Sequence, residues 1–295
     1  MKSLFYFRLK YAWLNISLVS NDKHAVDLIC EQFGSSFCLE FDTNDSDLTI
    51  YSFVADDVSK YSGKIIYPQN SFETIQKLLL TEKTYYHYYE SGMYSYRYLL
   101  RIVTGLLRNE AMTHGMQVVH GSSIELMGYG IIFFGGKGVG KTTLAAILTK
   151  YGNAKFVSND KTLVSSNNDI LCIPDLISIS QDSIDKVCLR APANPNSYLD
   201  IQNGIYSKYK ITYREMKEIF NFDTQYQAKL FCAFSPHLVK GNCVSITPGA
   251  DINDRVLSRV CDNRIDTISF DIDIGVDCHN EAIVYHITDF LNNIV

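Results

Sequence analysis

Along the first eighty positions the apolar residues come in short runs broken by polar turns. Residues 5–9, 13–19, 36–41 and 48–53, rich in aromatic and branched side chains, predict strands. Residues 25–33 and 72–80 space their apolar positions three and four apart, which predicts two helices. The acidic stretch 42–47 predicts a solvated loop. Residues 84–98 hold Tyr85, Tyr86, Tyr88, Tyr89, Tyr94, Tyr96 and Tyr98. Packing against a neighbouring helix or a second subunit is preferred for them over a base-stacking platform. From 96 to 112, Leu99, Leu100, Val103, Leu106, Leu107 and Ala111 recur at helical spacing, so an amphipathic helix closes a first unit.

A second unit opens with strands at 117–120, 122–126 and 131–134, the last two joined by a hairpin turn at 127–130. A helix is expected from 141 to 151, stopped by Gly152-Asn153. A short strand at 154–158 then ends at Asn159-Asp160, and strands 162–165 and 170–173 flank a second hairpin. Residues 256–260 and 265–270 predict further elements. Asp271-Ile272-Asp273-Ile274 alternates as an edge strand does. Residues 281–295 predict a terminal helix burying Ile283, His286, Ile287, Phe290 and Leu291. The pattern is α/β, in two domains, 1–110 and 111–295.

Composition narrows the functional classes. Of 295 residues, 46% are hydrophobic and 20% charged, which is ordinary for a globular protein. The net charge of −5 argues against a surface that coats nucleic acid. Eight cysteines (Cys30, Cys38, Cys172, Cys188, Cys232, Cys243, Cys261 and Cys278) form no C-x-x-C pair, so free or buried thiols are expected rather than a zinc site. The amino terminus meets charges at Lys2 and Arg8 before a signal-peptide core could form. No apolar run nears the ~20 residues that cross a bilayer. The expectation is a cytoplasmic protein, with neither membrane nor nucleic acid as a partner.

One segment carries chemistry outright. Gly135-Gly136-Lys137-Gly138-Val139-Gly140-Lys141-Thr142, followed by Thr143, fits G-x-x-x-x-G-K-[ST] without a mismatch. Glycines allow positive φ and close backbone approach, so successive N–H groups can turn toward one anion. The helix beginning at Lys141 adds unpaired donors and its positive dipole end. Lys141 would reach the β- and γ-phosphates, and the Thr142 hydroxyl would help hold Mg²⁺. The apolar strand 131–134 runs straight into the loop, and Leu144, Ala145, Ile147 and Leu148 continue beyond it as a helix. That is the context the motif requires.

Two neighbours narrow the reading. His120-Gly121 ends one strand before the loop, and Asn159-Asp160 ends the strand after its helix. Adjacent strand ends would bring both to the phosphate side. There Asp160 would meet the Mg²⁺ that Thr142 touches, and His120 would meet a phosphate or the acceptor.

The run His120-Gly121-Ser122-Ser123-Ile124-Glu125, then 128–134, the loop, 145–148 and Val157-Ser158-Asn159-Asp160 resembles the catalytic core of HPr kinase/phosphorylase and of related kinases, including the peptide-tailoring kinases of lasso-peptide pathways. The match covers residues 117–175. It implies a P-loop core of the HPr kinase/PEP carboxykinase-like type with a smaller α+β amino-terminal domain. It also implies ATP, with GTP as an alternative, and Mg²⁺ as cofactors. The implied activity is transfer of the γ-phosphate to a hydroxyl, usually of serine, on a peptide, protein or small molecule. Carried over, Gly135, Gly136, Lys137, Gly138, Val139, Gly140, Lys141, Thr142 and Thr143 hold the nucleotide, and Thr142 and Asp160 hold the metal. His120, Lys141, Asn159 and Asp160 surround the reacting centre. Homo-oligomerisation is left open.

The chain departs from this pattern in two places. Asn159 stands where the family has the first acid of a pair, and an amide cannot take a proton at neutral pH. Either Asp160 serves as both base and metal partner, or an acid elsewhere supplies the base, or positioning and charge suffice. The family's later E-I-R-G-type signature is missing, Asp185-Lys186-Val187-Cys188-Leu189-Arg190 occupying a comparable region. That weakens the case for HPr as the acceptor. A basic, aromatic cluster at 207–214, with Lys208 and Lys210, is a candidate clamp on an acidic ligand. Against the kinase stand two alternatives: a non-catalytic nucleotide-binding module, and a motor or transport ATPase. The last would want an apolar strand ending in Asp well downstream of the loop, and none is persuasive.

Overall fold

The computed structural model describes residues 3–34, 38–39, 47–67, 74–92, 95, 97–187, 208–249, 251–258 and 264–294. The chain divides into two compact units, Met1–Glu110 and Ala111–Val295.

The first unit is a mixed sheet with helices. Its strands are β1 (Phe5–Tyr11), β2 (Leu14–Ser20), β3 (Cys38–Leu39), β4 (Leu48–Val54), β5 (Lys64–Ile66), β6 (Gln76–Thr81) and β7 (Thr84–Tyr89). They are ordered β3-β1-β2-β4-β7-β6-β5. Helix α1 (Lys23–Phe33) starts at Asp22, whose carboxylate accepts from the His24 and Ala25 amides, and stops at Gly34 with φ +78°. Leu28, Ile29 and Phe33 are buried on one face of α1, and Leu9, Ile16, Leu18 and Ile50 are buried in the strands. Residues 72–80 are expected as a helix, yet Gln76–Thr81 is a strand, antiparallel to β7. Three consecutive leucines satisfy any periodicity. What decides is the partner: Leu78, Leu79 and Leu80 lie opposite His87, Tyr86 and Tyr85, and aromatic residues favour a pleated neighbour. The tyrosines pack within the unit. Tyr51 stacks on Tyr86 at 5.3 Å and Tyr61 on Tyr88 at 3.8 Å. Tyr98, on helix α2 (Arg97–Thr113), meets Tyr89 edge-on at 5.5 Å. Tyr94, Tyr96 and most of the acidic stretch 42–47 lie outside the described residues.

His87 is fully buried between Ser52 Oγ at 2.9 Å and Gln76 Oε1 at 3.1 Å. Burial pushes its pKa from near 6.5 down to about 3. The folded imidazole therefore stays neutral while the unfolded one takes a proton below pH 6.5, so stability falls as pH drops from 6.5 towards 3. At about 1.4 kcal/mol per pH unit, moving from pH 7 to pH 5 should cost about 2 kcal/mol. The single tryptophan, Trp13, lies in this unit and reports its urea midpoint. The midpoint should fall at pH 5 in the wild type, and the fall should shrink in His87→Gln.

The second unit holds β8 (Gln117–Val119), β9 (Gly121–Leu126), β10 (Tyr129–Phe134), α3 (Lys141–Tyr151), β11 (Lys155–Ser158), β12 (Thr162–Val164), β13 (Asp169–Cys172), β14 (Ile177–Ser180) and α4 (Gln181–Lys186). It continues with β15 (Lys208–Ile211), α5 (Tyr213–Phe220), β16 (Gln227–Val239), β17 (Val244–Pro248), β18 (Val256–Ser258), β19 (Ile268–Gly275) and α6 (Asn280–Ile294). The main sheet runs β11-β9-β10-β16-β13-β12-β8-β18, with β19 and β17 branching from β16, while β14 and β15 pair separately. The β9–β10 turn puts Met127 at φ +57° and Gly128 at φ +86°, the double left-handed geometry that suits the twist of a two-residue hairpin. Apolar faces of β10, β16 and β19 and of helices α3 and α6 close one core, with Ile132, Phe133, Phe234, Ile272, Ile147 and Ile287 buried in it. Cys172 and Cys232 are part of it, burial pushing both thiols up to about 12. Cys172 and Cys232, like Cys30, Cys243 and Cys278, are thiols rather than halves of a disulfide.

Two expectations need correction here. Residues 271–274 belong to β19, which is interior: it pairs in parallel with β16 and antiparallel with β17. The alternating aspartates mark a polar face of the sheet rather than an edge. In the terminal helix Ile283, Ile287 and Leu291 are buried, but His286 is exposed. The helix turns its polar flank outward one residue earlier than the expected stripe. Among the described residues no helix is long and apolar enough to cross a membrane.

Candidate functional site

Strand β10 delivers the chain to the glycine-rich loop, and α3 leaves it. Gly140 is the residue before the helix, at φ +94° and ψ 10°, and no side chain caps the helix behind it. That left-handed conformation costs an ordinary L-residue roughly 1–2 kcal/mol, which is why glycine stands there. The result is a helix start that its own N-cap residue, lacking a side chain, leaves uncapped. Gly135 begins the loop at φ +127°. A Cβ on it would lie 3.3 Å from Val139 Cγ2 and 3.6 Å from Ser235 Oγ, so the loop closes tightly over its own valine. Gly136, Lys137 and Gly138 are exposed at the tip.

Lys141 is 7% exposed, unusual for a lysine, and its Nζ donates to Gly135 O at 3.0 Å and Gly136 O at 2.7 Å. The carbonyls hold the ammonium over the start of the loop. Thr142 donates its hydroxyl to Asn159 Oδ1 at 2.8 Å, and Ser122 donates to the same oxygen at 3.1 Å. Thr143 Oγ1 lies 2.6 Å from Ser183 Oγ of α4.

His120 is the single residue between β8 and β9, where the chain passes from one half of the sheet to the other. Val119 pairs with Thr162, which brings the turn before β12 alongside. There Asp160 sits at φ +59°, and its carbonyl oxygen is 2.9 Å from His120 Nδ1. A carbonyl only accepts, so Nδ1 carries the proton and Nε2 keeps its lone pair. The turn separates the two adjacent residues: Asn159 points to the Thr142 hydroxyl, whereas Asp160 meets His120 through its backbone. Asn159 is 5% exposed, and its Nδ2 has no hydrogen-bond partner among the described residues.

The residues fit the groups implied by the resemblance to different degrees. An uncapped helix start, a buried lysine and left-handed glycines suit a polyphosphate. At Thr142 the donors are neutral, a hydroxyl and an amide oxygen. Among the described residues no group of three His, Cys, Asp or Glu side chains could hold a metal ion. This set fits a Mg²⁺ whose charge is met by phosphates, since that ion takes oxygen ligands and keeps most of its water.

The structure thus brings His120, Lys141, Thr142, Asn159 and the Asp160 backbone to one end of the sheet. Lys208 and Lys210 lie on β15, and the Lys210 ammonium donates to Ser178 Oγ of β14. Ser207 lies outside the described residues.

Sequence reading missed the loop's other flank. Phe234 of β16 is paired with Phe133, so Ser235 and His237 follow alongside the glycines. His237 Nε2 lies 3.5 Å from Ser235 Oγ and 3.2 Å from Asp271 Oδ1 of β19. Leu238 Cδ2 would lie 3.9 Å from a Cβ on Gly140.

No family model matches the chain, and no curated protein matches it in sequence. Among solved structures, the Hpr(Ser) kinase/phosphatase from Coxiella burnetii is similar at 15% identity, over 60% of this chain and 98% of that one, with a TM-score of 0.32. A likeness that loose transfers no residue role from one chain to the other.

Proposed function

We propose that the chain binds ATP at the 135–142 loop and transfers the γ-phosphate to a hydroxyl, serine foremost, of a peptide, protein or small molecule. The observation that carries this reading is the loop itself. An uncapped helix start, left-handed Gly135 and Gly140, and a buried Lys141 ammonium resting on Gly135 O and Gly136 O form a preorganised anion cradle. Thr142 would hold a Mg²⁺ arriving on the phosphates, which supplies charge neutralisation between β- and γ-oxygens. Ser122 and Asn159 fix the Thr142 hydroxyl, and His120 and Asp160 stand at the same sheet end. GTP is a second candidate nucleotide, because nothing assigned to the site reads the base.

A specific observation favours the second reading, a nucleotide-binding module without transfer activity. The side chain on the Thr142 hydroxyl is an amide, which takes no proton. Incubation with γ-labelled ATP and candidate peptides separates the two. Label that moves to peptide in the wild type and not in Lys141→Ala supports the kinase. Saturable ATP binding with no transfer to any acceptor supports the module.

A further inference from the structure

The kinase reading leaves open which group takes the acceptor's proton, and the unassigned flank of the loop offers one. We infer that His237, oriented by Asp271, is the general base of this site; the inference rests on the proposed phosphotransfer.

Three observations carry it. The first is position. Lys141 Nζ lies on the carbonyls of Gly135 and Gly136, so the start of the loop is the end that faces the β- and γ-phosphates. Ser235 Oγ borders Gly135 at that end, and the His237 ring borders Ser235. The second is orientation. Asp271 and Ser235 are opposite one another in the parallel β16–β19 register, as are Asp273 and His237. Paired residues share a face, so the ring and both carboxylates stand on the same side of the sheet. Asp271 Oδ1 holds Nε2 at 3.2 Å. A carboxylate only accepts, so the proton is on Nε2 and the Nδ1 lone pair is left for an incoming O–H. Ser235 and Asp271 meet the same ring nitrogen, which excludes a relay from Asp271 through the ring to a Ser235 nucleophile, because that needs opposite nitrogens. The third is access. The His237 side chain is 49% exposed, while Ser235 behind it is 7% exposed. The base faces solvent, where an acceptor arrives, on a buried support.

His120 is the competing histidine. Its ring is held by a neutral carbonyl, beside the Thr142–Asn159 flank. A carboxylate stabilises the imidazolium that forms on proton uptake and a carbonyl does so less, which favours His237 for the base. In the step, the acceptor hydroxyl gives its proton to His237 Nδ1. The acceptor oxygen forms a bond to the γ-phosphorus as the bond from that phosphorus to the β–γ bridging oxygen breaks. The electron pair leaves with ADP. Asp271 is a positioning residue here, acting through the ring.

The test uses the full chain with Mg²⁺, γ-labelled ATP and water as the acceptor, and a fluorescent ATP analogue to follow binding. In His237→Ala, binding should stay within about twofold of wild type while phosphate release falls about 10²-fold or more, the usual worth of a general base. Added imidazole should restore part of the rate. Asp271→Asn should slow release and Asp271→Glu should recover it, which a merely structural carboxylate would not require. Release from His237→Ala at the wild-type rate overturns the inference and leaves the kinase reading intact. So does a loss of ATP affinity in that variant, or a lost rate that imidazole does not restore. Wild-type protein that binds ATP and transfers the label neither to water nor to any candidate peptide overturns the inference and favours the binding module. Failure of the wild type to bind ATP removes both readings.

Discussion

Replacing Lys141 with alanine is expected to weaken ATP binding about 10²-fold and to abolish transfer. The ammonium is 7% exposed and already held over the loop by two carbonyls, so little ordering remains to be done when a phosphate replaces them. A hydrogen bond to a charged group is worth about 1.5–3 kcal/mol. Losing the contacts to the outer phosphates should therefore cost about 3 kcal/mol, where each 1.4 kcal/mol is tenfold in affinity. Lys141→Arg should not rescue it, because a planar fork on a differently shaped stem does not overlay a compact ammonium. Titration with the fluorescent ATP analogue measures both variants. Affinity within threefold of wild type in Lys141→Ala would mean that the loop is not the phosphate site.

The loop was legible because everything it needs lies within one stretch. The strand entering it, the glycines with positive φ and the helix at Lys141–Tyr151 are all local. His120 and Asn159-Asp160 were legible as strand ends. What could not be read was that Asn159 and Asp160, one residue apart, face different partners, since the left-handed turn at Asp160 is set by the pairing of β8 with β12. The flank at Ser235, His237 and Asp271 escaped for a different reason. Its signal is present as polar alternation, Ser235 and His237 in one strand and Asp271 and Asp273 in another. Two parallel pairings, β10 with β16 and β16 with β19, are what make it a site. Parallel partners are joined by long crossovers, so no short-range pattern announces them. β6 is a different case: its antiparallel partner β7 follows directly, and a run of three leucines carries no period that tells a strand from a helix.

One side chain touches both partners in those pairings, and its removal is expected to have a large effect on stability. Phe234 is fully buried at the middle of β16. Its ring stacks on Phe133 of β10 at 6.1 Å, leans on Phe270 of β19 at 5.7 Å and meets Phe290 of α6 edge-on at 6.1 Å. Phe234→Ala removes the shared contact of three strands and a helix, and such truncations cost about 3–5 kcal/mol. The expected result is faster hydrogen exchange at the β10 and β16 amides, with the midpoint reported by Trp13 in the other unit little changed. Phe234→Leu, which keeps more of the volume, should lose less. Unchanged exchange in Phe234→Ala would mean that another contact sets this register. The functional consequence follows from the geometry: Phe234 is the residue before Ser235, and its pairing with Phe133 sets Ser235 and His237 beside the glycines. A variant that stays folded with this ring removed should therefore lose the His237 flank before the Thr142–Asn159 flank, which is held separately through β9 and β11.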